Sequence, residues 1–437
     1  MNLEKKRGLI LWLAPTCFSF IVLTITGCGG KYEEDKVTLR FLYGAGVEEN
    51  KCYQKIFRSF EEEHPNIKII PDQYSGGAYR QKFLTQIAGG TPPDILFLCD
   101  AMIITLYEKG LIENLTPYIE KDSAFDVTDF YPEALKVFKF GNKIYGLPKD
   151  CGPAVLFYNK DMFDKEGIPY PDETWTWEDL IKYGKKLTKF DDRGNPIQFG
   201  LTNHIWGWEA FVLQNGGEVI NKEGTKCVLD SPEAIEAIEF VRDLSWKYHI
   251  APTPAQLREL PTAGMDLFQS KKAAMSIMGR WMVPAYRAGG FDFDVAPLPK
   301  GKKRATFLVV SGYVIPSGSK HKKEAWEFLR YLTSKEGEKI MTKPGLLVPA
   351  RKSVAESDIF LSSVPPYNNR VFIEEKKHAK ISVTLSPFCS RYPEEWDKIC
   401  QALELIWVGS KDPKSYLPKI VSEINAEINT ERPEKSR

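Results

Sequence analysis

Apolar positions along the chain switch between two periods, and the switch points mark out its elements. Val37, Leu39 and Phe41 alternate with polar neighbours, predicting a strand that runs out at Tyr43-Gly44-Ala45-Gly46. Ile56, Phe57 and Phe60 predict a helix that stops at His64-Pro65, and Ile67, Ile69 and Ile70 give a second strand, completing a βαβ unit. The stretch 83–115 continues it. Phe83, Leu84, Ile87 and Ala88 recur at helical spacing, Gly89-Gly90 supplies the left-handed residues that end a helix, and Pro92-Pro93 prevents it from resuming. Ile95-Leu96-Phe97-Leu98 is then an unbroken apolar run, as expected of a parallel strand covered on both faces. Asp100 stands where that strand ends. Ligands of open α/β sheets gather beyond the carboxyl ends of strands, so Asp100 is the first candidate ligand contact; capping of the next helix is the alternative.

Further on, Gly141-Asn142 signals a hairpin, and Ala154-Val155-Leu156-Phe157-Tyr158 reads as another buried strand. A helical series begins after Tyr158, Thr176-Trp177-Glu178-Asp179 is a capping box, and Ser231-Pro232-Glu233 opens a helix carrying Ile235, Ile238, Val241 and Leu244. These predict a second α/β lobe. A chain of 437 residues is also too long for one ordinary core, which independently suggests two domains.

The amino terminus reads as targeting signal. Lys5, Lys6 and Arg7 precede an apolar run over 9–25, and its end, Ile25-Thr26-Gly27-Cys28, resembles a bacterial lipobox. The resemblance implies a signal peptide over 1–27, lipid on Cys28 and a polar tether over 28–35, at a bacterial cell surface or periplasmic face; an ordinary secretory leader or a signal anchor is the alternative. With no later apolar run of about 18 residues, the expectation is a chain anchored to a membrane and not spanning it.

Charge narrows the partners. Lys and Arg number 59 against 58 Asp and Glu, a balance that argues against nucleic acid, whose phosphates call for a basic excess. Beyond Cys17 and Cys28, the cysteines are Cys52, Cys99, Cys151, Cys227, Cys389 and Cys400; none forms a CxxC pair or zinc spacing, so neither a metal nor a cofactor is expected. An exported chain permits disulfides, Cys389 and Cys400 being the nearest pair, and equally admits buried free thiols. Gly44-x-Gly46 invites a dinucleotide loop, but Glu49 stands where the third glycine belongs.

Aromatic residues in loops carry the candidate chemistry. Sugars present apolar ring faces edged with hydroxyls, so a saccharide site needs aromatic platforms with a few orienting polar groups. Trp206-Gly207-Trp208 interrupts a polar loop and precedes Glu209; Trp281 follows Gly279-Arg280 directly after the apolar strand 274–278. Along the helix 394–407, Trp396 falls near the start, and Trp407 is expected to pack with Leu403.

Seven blocks carry a family resemblance: GGAYRQKFLTQIAGGTPPDILFLCD, KGLIENLTPYI, GNKIYGLP, FYNKDMFDKEGIPYPDETWTWEDL, LFQSKKAAMSIMGRW, VAPLPKG and SGYVIPSGSKHKKEAWEFLRYLTSKEG. Together and in this order they resemble the extracellular solute-binding proteins of bacterial ATP-driven (ABC) importers, more narrowly the maltose-binding-protein-like carbohydrate group. The resemblance implies an α/β, two-lobed periplasmic-binding-protein fold with hinge crossovers and an interlobe ligand cleft, and delivery of a captured sugar or oligosaccharide by a monomer to the permease subunits. Lobe 1 is expected over 36–149 plus 304–352 and lobe 2 over 150–303 plus 353–430, exchanging chain near 148–154, 297–304 and 349–353. Asp100 resembles the family's hydroxyl-binding acid, Trp281 its ring-stacking aromatic, and Trp206 and Trp396 fall near two further aromatics. Tyr43 and Gly312-Tyr313 are similar in position. Where maltose-binding protein has a glutamate six residues before the tyrosine of YNKD, this chain has Gly152, and Asp150 is the substitute.

Two other classes remain open. A glycoside hydrolase needs paired carboxylates, for which Asp100, Asp150 and Glu209 are candidates, although GxSxG, HExxH and a histidine triad are all lacking; no enzyme is expected. The same fold binding a non-sugar solute is the second, with Arg280 beside Trp281 suited to a phosphorylated polyol and an acid-rich cleft required for a polyamine.

Overall fold

The computed structural model describes residues 36–74, 77–99, 101–260 and 265–435. The leader, Cys28 and the tether fall outside the described residues, as does Asp100. Strand Val37–Gly44 and strand Ile67–Tyr74 pair in parallel from Val37↔Ile67 to Gly44↔Tyr74, joined by helix Val47–Glu63, which buries Tyr53, Ile56, Phe57 and Phe60 against them. Helix Gly77–Ala88 ends at Gly90, whose φ of +68° is the left-handed value that terminates the turn. Phe83 on this helix is fully buried, but Leu84 is exposed, so the apolar stripe is narrower than the sequence suggests.

Strand Ile95–Leu98 is parallel to Val37–Gly44 on one edge and antiparallel to strand Thr306–Val314 on the other. The sheet is therefore mixed, and its apolar run reflects burial on both faces more than parallel pairing. With Ala379–Ile381 and Leu147–Pro153, both paired to Thr306–Val314, it has six strands.

A second, three-stranded antiparallel sheet has Val155–Asn159 at its centre, between Met275–Met278 and Phe293–Ala296. Leu147–Pro153 and Val155–Asn159 are separated only by Ala154, so the chain passes almost straight from one sheet to the next. Strand Thr306–Val314 runs beside this passage, with the Thr306 hydroxyl donating to the Ala154 carbonyl at 2.7 Å and the Ala154 N–H to Phe307 at 3.1 Å. The apolar cores change over at the same places. Cys151 and Leu308 pack with the first sheet, whereas Ala154 and Phe307 pack with the second. A later segment carries Phe360, Val371 and Phe372 against Phe157, then returns to the first sheet as Ala379–Ile381, a strand the sequence reading did not foresee.

Local signals set the helices around the second core. Thr176 and Asp179 cap each other's backbone at the start of helix Trp177–Leu187, and Ser231 accepts from the Ala234 N–H at the start of Pro232–Trp246. Helix Lys322–Leu332 buries Ala325, Trp326, Phe328, Leu329 and Leu332 against the first core and leaves its charged face outward. Among the described residues, no helix is long and apolar enough to cross a membrane.

Candidate functional site: an aromatic cavity beside the crossing strand

A cavity of about 360 Å³ lies against strand Thr306–Val314, where Phe307 and Val309, two residues apart, present the same face to it. Opposite stands helix Pro393–Trp407. Trp396, Cys400, Leu403 and Trp407 recur at intervals of three and four along it, which puts all four on the cavity side.

The remaining wall is built on tight backbone. A Cβ on Gly207 would fall 2.7 Å from Ile277, so the glycine lets its turn lie directly on strand Met275–Met278. Trp206 and Trp208, on either side of it, both line the cavity, and Trp208 opens helix Trp208–Gln214. Trp281 lies in the single helical turn Arg280–Met282, with its six-membered ring folded back over Gly279. It meets Trp206 edge to face at 5.5 Å and 81° between planes, and Trp206 in turn lies 5.1 Å from Phe307. The edge-to-face pair holds both indoles in place and adds about 1 kcal/mol.

The polar complement is small. Glu209, Ser382 and Thr384 line the cavity. Both Glu209 oxygens accept hydrogen bonds at 2.8 Å, from the Ser382 hydroxyl and the Val383 N–H. Burial pushes its carboxyl up to about 7 despite those two donors. Among the described residues Glu209 is the only carboxylate lining the cavity, and no cluster of His, Cys, Asp and Glu suits a metal ion.

Five sequence candidates thus meet in one place: Trp206, Trp208, Glu209, Trp281 and Trp396. Four others do not reach it. Tyr43 is fully buried beside Phe41 and Tyr53, with its hydroxyl donating to Asn50 at 2.7 Å. Tyr313 is likewise core, its hydroxyl 2.9 Å from that of Tyr53. Gly312 is a packing glycine, since a Cβ there would sit 2.4 Å from the Leu147 carbonyl oxygen and 2.5 Å from the Phe138 ring. Asp150 is buried within strand Leu147–Pro153, where it accepts from the Val348 N–H at 3.0 Å and tethers the passage between cores. Arg280 also turns away from the cavity: its guanidinium is buried, bonded to Asn369 and stacked 4.3 Å over Phe360.

Sequence reading missed Phe307 and Val309, although their alternation was visible, and the 382–384 segment, which carries no motif. Cys389 and Cys400 form no disulfide; the Cys389 thiol donates to the Val383 carbonyl. A wider depression of about 470 Å³ between Asp161, Arg287 and Tyr367 opens at the surface, with Arg287 already committed to Pro344, Ser363 and Pro365.

The family model of the bacterial extracellular solute-binding proteins matches residues 44–339. The chain belongs to that family. This solute-binding protein is 25% identical to the galactooligosaccharide-binding protein of Bacillus subtilis over 98% of each chain. It is 27% identical to the arabinooligosaccharide-binding protein of the same organism, over 73% of this chain and 75% of the other. An ABC substrate-binding protein of Listeria monocytogenes, solved in complex with cycloalternan, superposes with a TM-score of 0.80 at 27% identity, covering 91% of this chain and 99% of that one. The two-lobed α/β architecture expected from the sequence is the architecture of these binding proteins, and the family is named for binding solutes, not for an enzymatic activity.

Proposed function

We propose that this solute-binding protein captures a sugar or oligosaccharide in the aromatic cavity and delivers it, by closure of its two lobes, to the permease of an ABC importer. The observation that carries the reading is the convergence of Trp206, Trp208, Trp281, Trp396 and Trp407 on one cavity with few polar groups. Flat indoles match the apolar faces of pyranose and furanose rings, and the Ser382 and Thr384 hydroxyls orient the hydroxyl edges. Relatives named for galactooligosaccharides and arabinooligosaccharides support the same class. In this reading the chain is a monomer held at the outer face of the cytoplasmic membrane, or in the periplasm, by lipid on Cys28. The lobes divide at the passages 148–154, 297–304 and 349–353, and Asp100 supplies a hydroxyl contact from the first lobe.

Neither competing class gains from the cavity. A phosphorylated solute would want a cation, and Arg280 is committed elsewhere; a polyamine or a hydrolytic mechanism would want several carboxylates, where Glu209 stands alone among the described residues. The test is a thermal-shift screen of leaderless protein against mono- and oligosaccharides, polyamines and glycerophosphodiesters, with tryptophan fluorescence in parallel. A ligand bound only by the native state raises the melting temperature by mass action, about 2.7 kcal/mol at a hundred-fold excess over Kd. A shift with a saccharide and a concurrent fluorescence change is expected. A shift with charged ligands alone would remove the carbohydrate assignment.

A further inference from the structure

We propose that Glu209 is a positioning residue: it fixes a strap, residues 382–385, that joins the aromatic cavity to the first lobe, and solute affinity depends on it through that strap. The inference rests on the cavity being the solute site.

The strap is stitched into both halves of the molecule. Val383 packs in the second core and Leu385 in the first. The Ser382 N–H donates to the Leu308 carbonyl on the crossing strand at 3.0 Å, and the Thr384 carbonyl accepts from the Ala101 N–H, at the start of helix Met102–Glu108, at 3.0 Å. The same helix continues the contact: Thr105 and Ser390 hydroxyls lie 2.7 Å apart, and Arg391 donates to Glu108 at 3.1 Å. Ser382, Val383 and Thr384 also line the cavity. A solute lying on the indoles therefore touches the segment whose next bond is to the first lobe.

Glu209 is what holds that segment to the cavity wall. Its oxygens take the Ser382 hydroxyl and the Val383 N–H, both at 2.8 Å, and no cation pairs with it among the described residues. A buried carboxylate without a counter-charge is costly unless its donors are well placed, and the two donors at 2.8 Å offset that cost here. The geometry also distinguishes positioning from direct contact. In Glu209→Gln the amide oxygen can accept from Val383 while the amide nitrogen donates to Ser382, whose hydroxyl then turns toward Thr384, already 3.0 Å away. Gln thus preserves the strap but removes the anionic acceptor that a sugar hydroxyl would use.

The experiment is hydrogen exchange of the 382–385 amides in ligand-free protein, paired with calorimetric titration by a saccharide that binds the wild type. Glu209→Ala should speed exchange there by about ten-fold and weaken affinity by about ten-fold, the size of one lost hydrogen bond to a charged group. Glu209→Gln should recover the protection that Ala loses, and affinity with it. Affinity lost equally in Gln and Ala while the strap stays protected would make Glu209 a direct solute contact and overturn the proposal, as would unchanged exchange in Glu209→Ala. Should the Ala variant fail to fold, Ser382→Ala applies the same criterion with Glu209 intact: faster strap exchange supports the proposal and unchanged exchange defeats it. If no saccharide binds the wild type, the uptake reading falls while the exchange data still decide the strap.

Discussion

Replacing Gly279 with alanine moves one aromatic ring and little else. The backbone at Gly279 is extended, with φ −96° and ψ 170°, so any L residue can adopt it. The added Cβ, however, would lie 2.0, 2.3 and 2.5 Å from three atoms of the Trp281 ring. Carbon atoms pack at about 3.5–4.0 Å, so the indole must retreat by roughly 1.5 Å. It can do so, because it is a half-exposed side chain on the cavity wall and not part of a core. The retreat breaks the edge-to-face contact with Trp206, a loss of about 1 kcal/mol in stability and a few degrees at most in melting temperature. Binding should suffer more specifically. A sugar face covering about 100 Å² of indole is worth roughly 2.5 kcal/mol at 25 cal/mol/Å², and a gap of 1 Å already forfeits up to about half of a dispersion contact. About 1.3 kcal/mol is then lost, or roughly ten-fold in Kd. Calorimetric titration with the saccharide found by screening measures this directly. Gly46→Ala is the matched control, since its backbone is also extended, at φ −74° and ψ 177°, and nothing lies within 4 Å of the new Cβ. Affinity unchanged in Gly279→Ala, or lost equally in both variants, would refute the assignment of Trp281 as a platform held by that glycine.

Two further outcomes separate framework from site. Tyr313→Phe should cost about 1–3 kcal/mol in urea unfolding, because it strands the buried Tyr53 hydroxyl, and should leave solute affinity intact; a ten-fold affinity loss at unchanged stability would return Tyr313 to the binding site. His204 is buried with its Nε2 2.9 Å from the Ser245 hydroxyl, and burial holds its pKa down at about 3 from 6.5. Below pH 6.5 the unfolded chain therefore takes up a proton that the native state refuses, so stability present at pH 7 is lost as pH falls, by about 2 kcal/mol at pH 5. The stability of His204→Gln relative to wild type should rise by that amount between pH 7 and pH 5. Glu209, with its pKa raised to about 7, acts in the opposite direction over that window and cancels in the difference. A difference independent of pH would show that His204 titrates normally.

How much of this was legible beforehand differs by level. Strand and helix positions in the βαβ start, the hairpin at Gly141 and the capping box at Thr176 follow from local chemistry that nothing distant overrides. Trp206, Trp208 and Trp281 stood out because they interrupt loops outside any periodic apolar series, and Trp396 because it falls near the start of its helix, where the family resemblance places an aromatic. The candidates that lie away from the cavity share a cause. Tyr43 and Tyr313 end strands that point toward the ligand side of the sheet in sequence logic, yet alternation decides the face, and both fall on the side packed against helix Val47–Glu63. Asp150 reads as the substitute for the family glutamate, whereas the strand continues through Asp150 and turns its carboxylate onto the Val348 N–H. The strap has no signature at all, because its role comes from what lies on either side of it in space.

The tryptophans of the cavity are borne by a turn, the first residue of a short helix, a single helical turn and one face of a longer helix, none of them a strand of either sheet. On the proposed function, evolution or an engineer can therefore rewrite the cargo by exchanging those rings while the sheets that carry the fold are left alone. Phe307 and Val309 are the exception. They sit on the strand that packs with both cores, so a change there disturbs the cavity and the framework together, and variants selected for a new solute should spare these two positions longest.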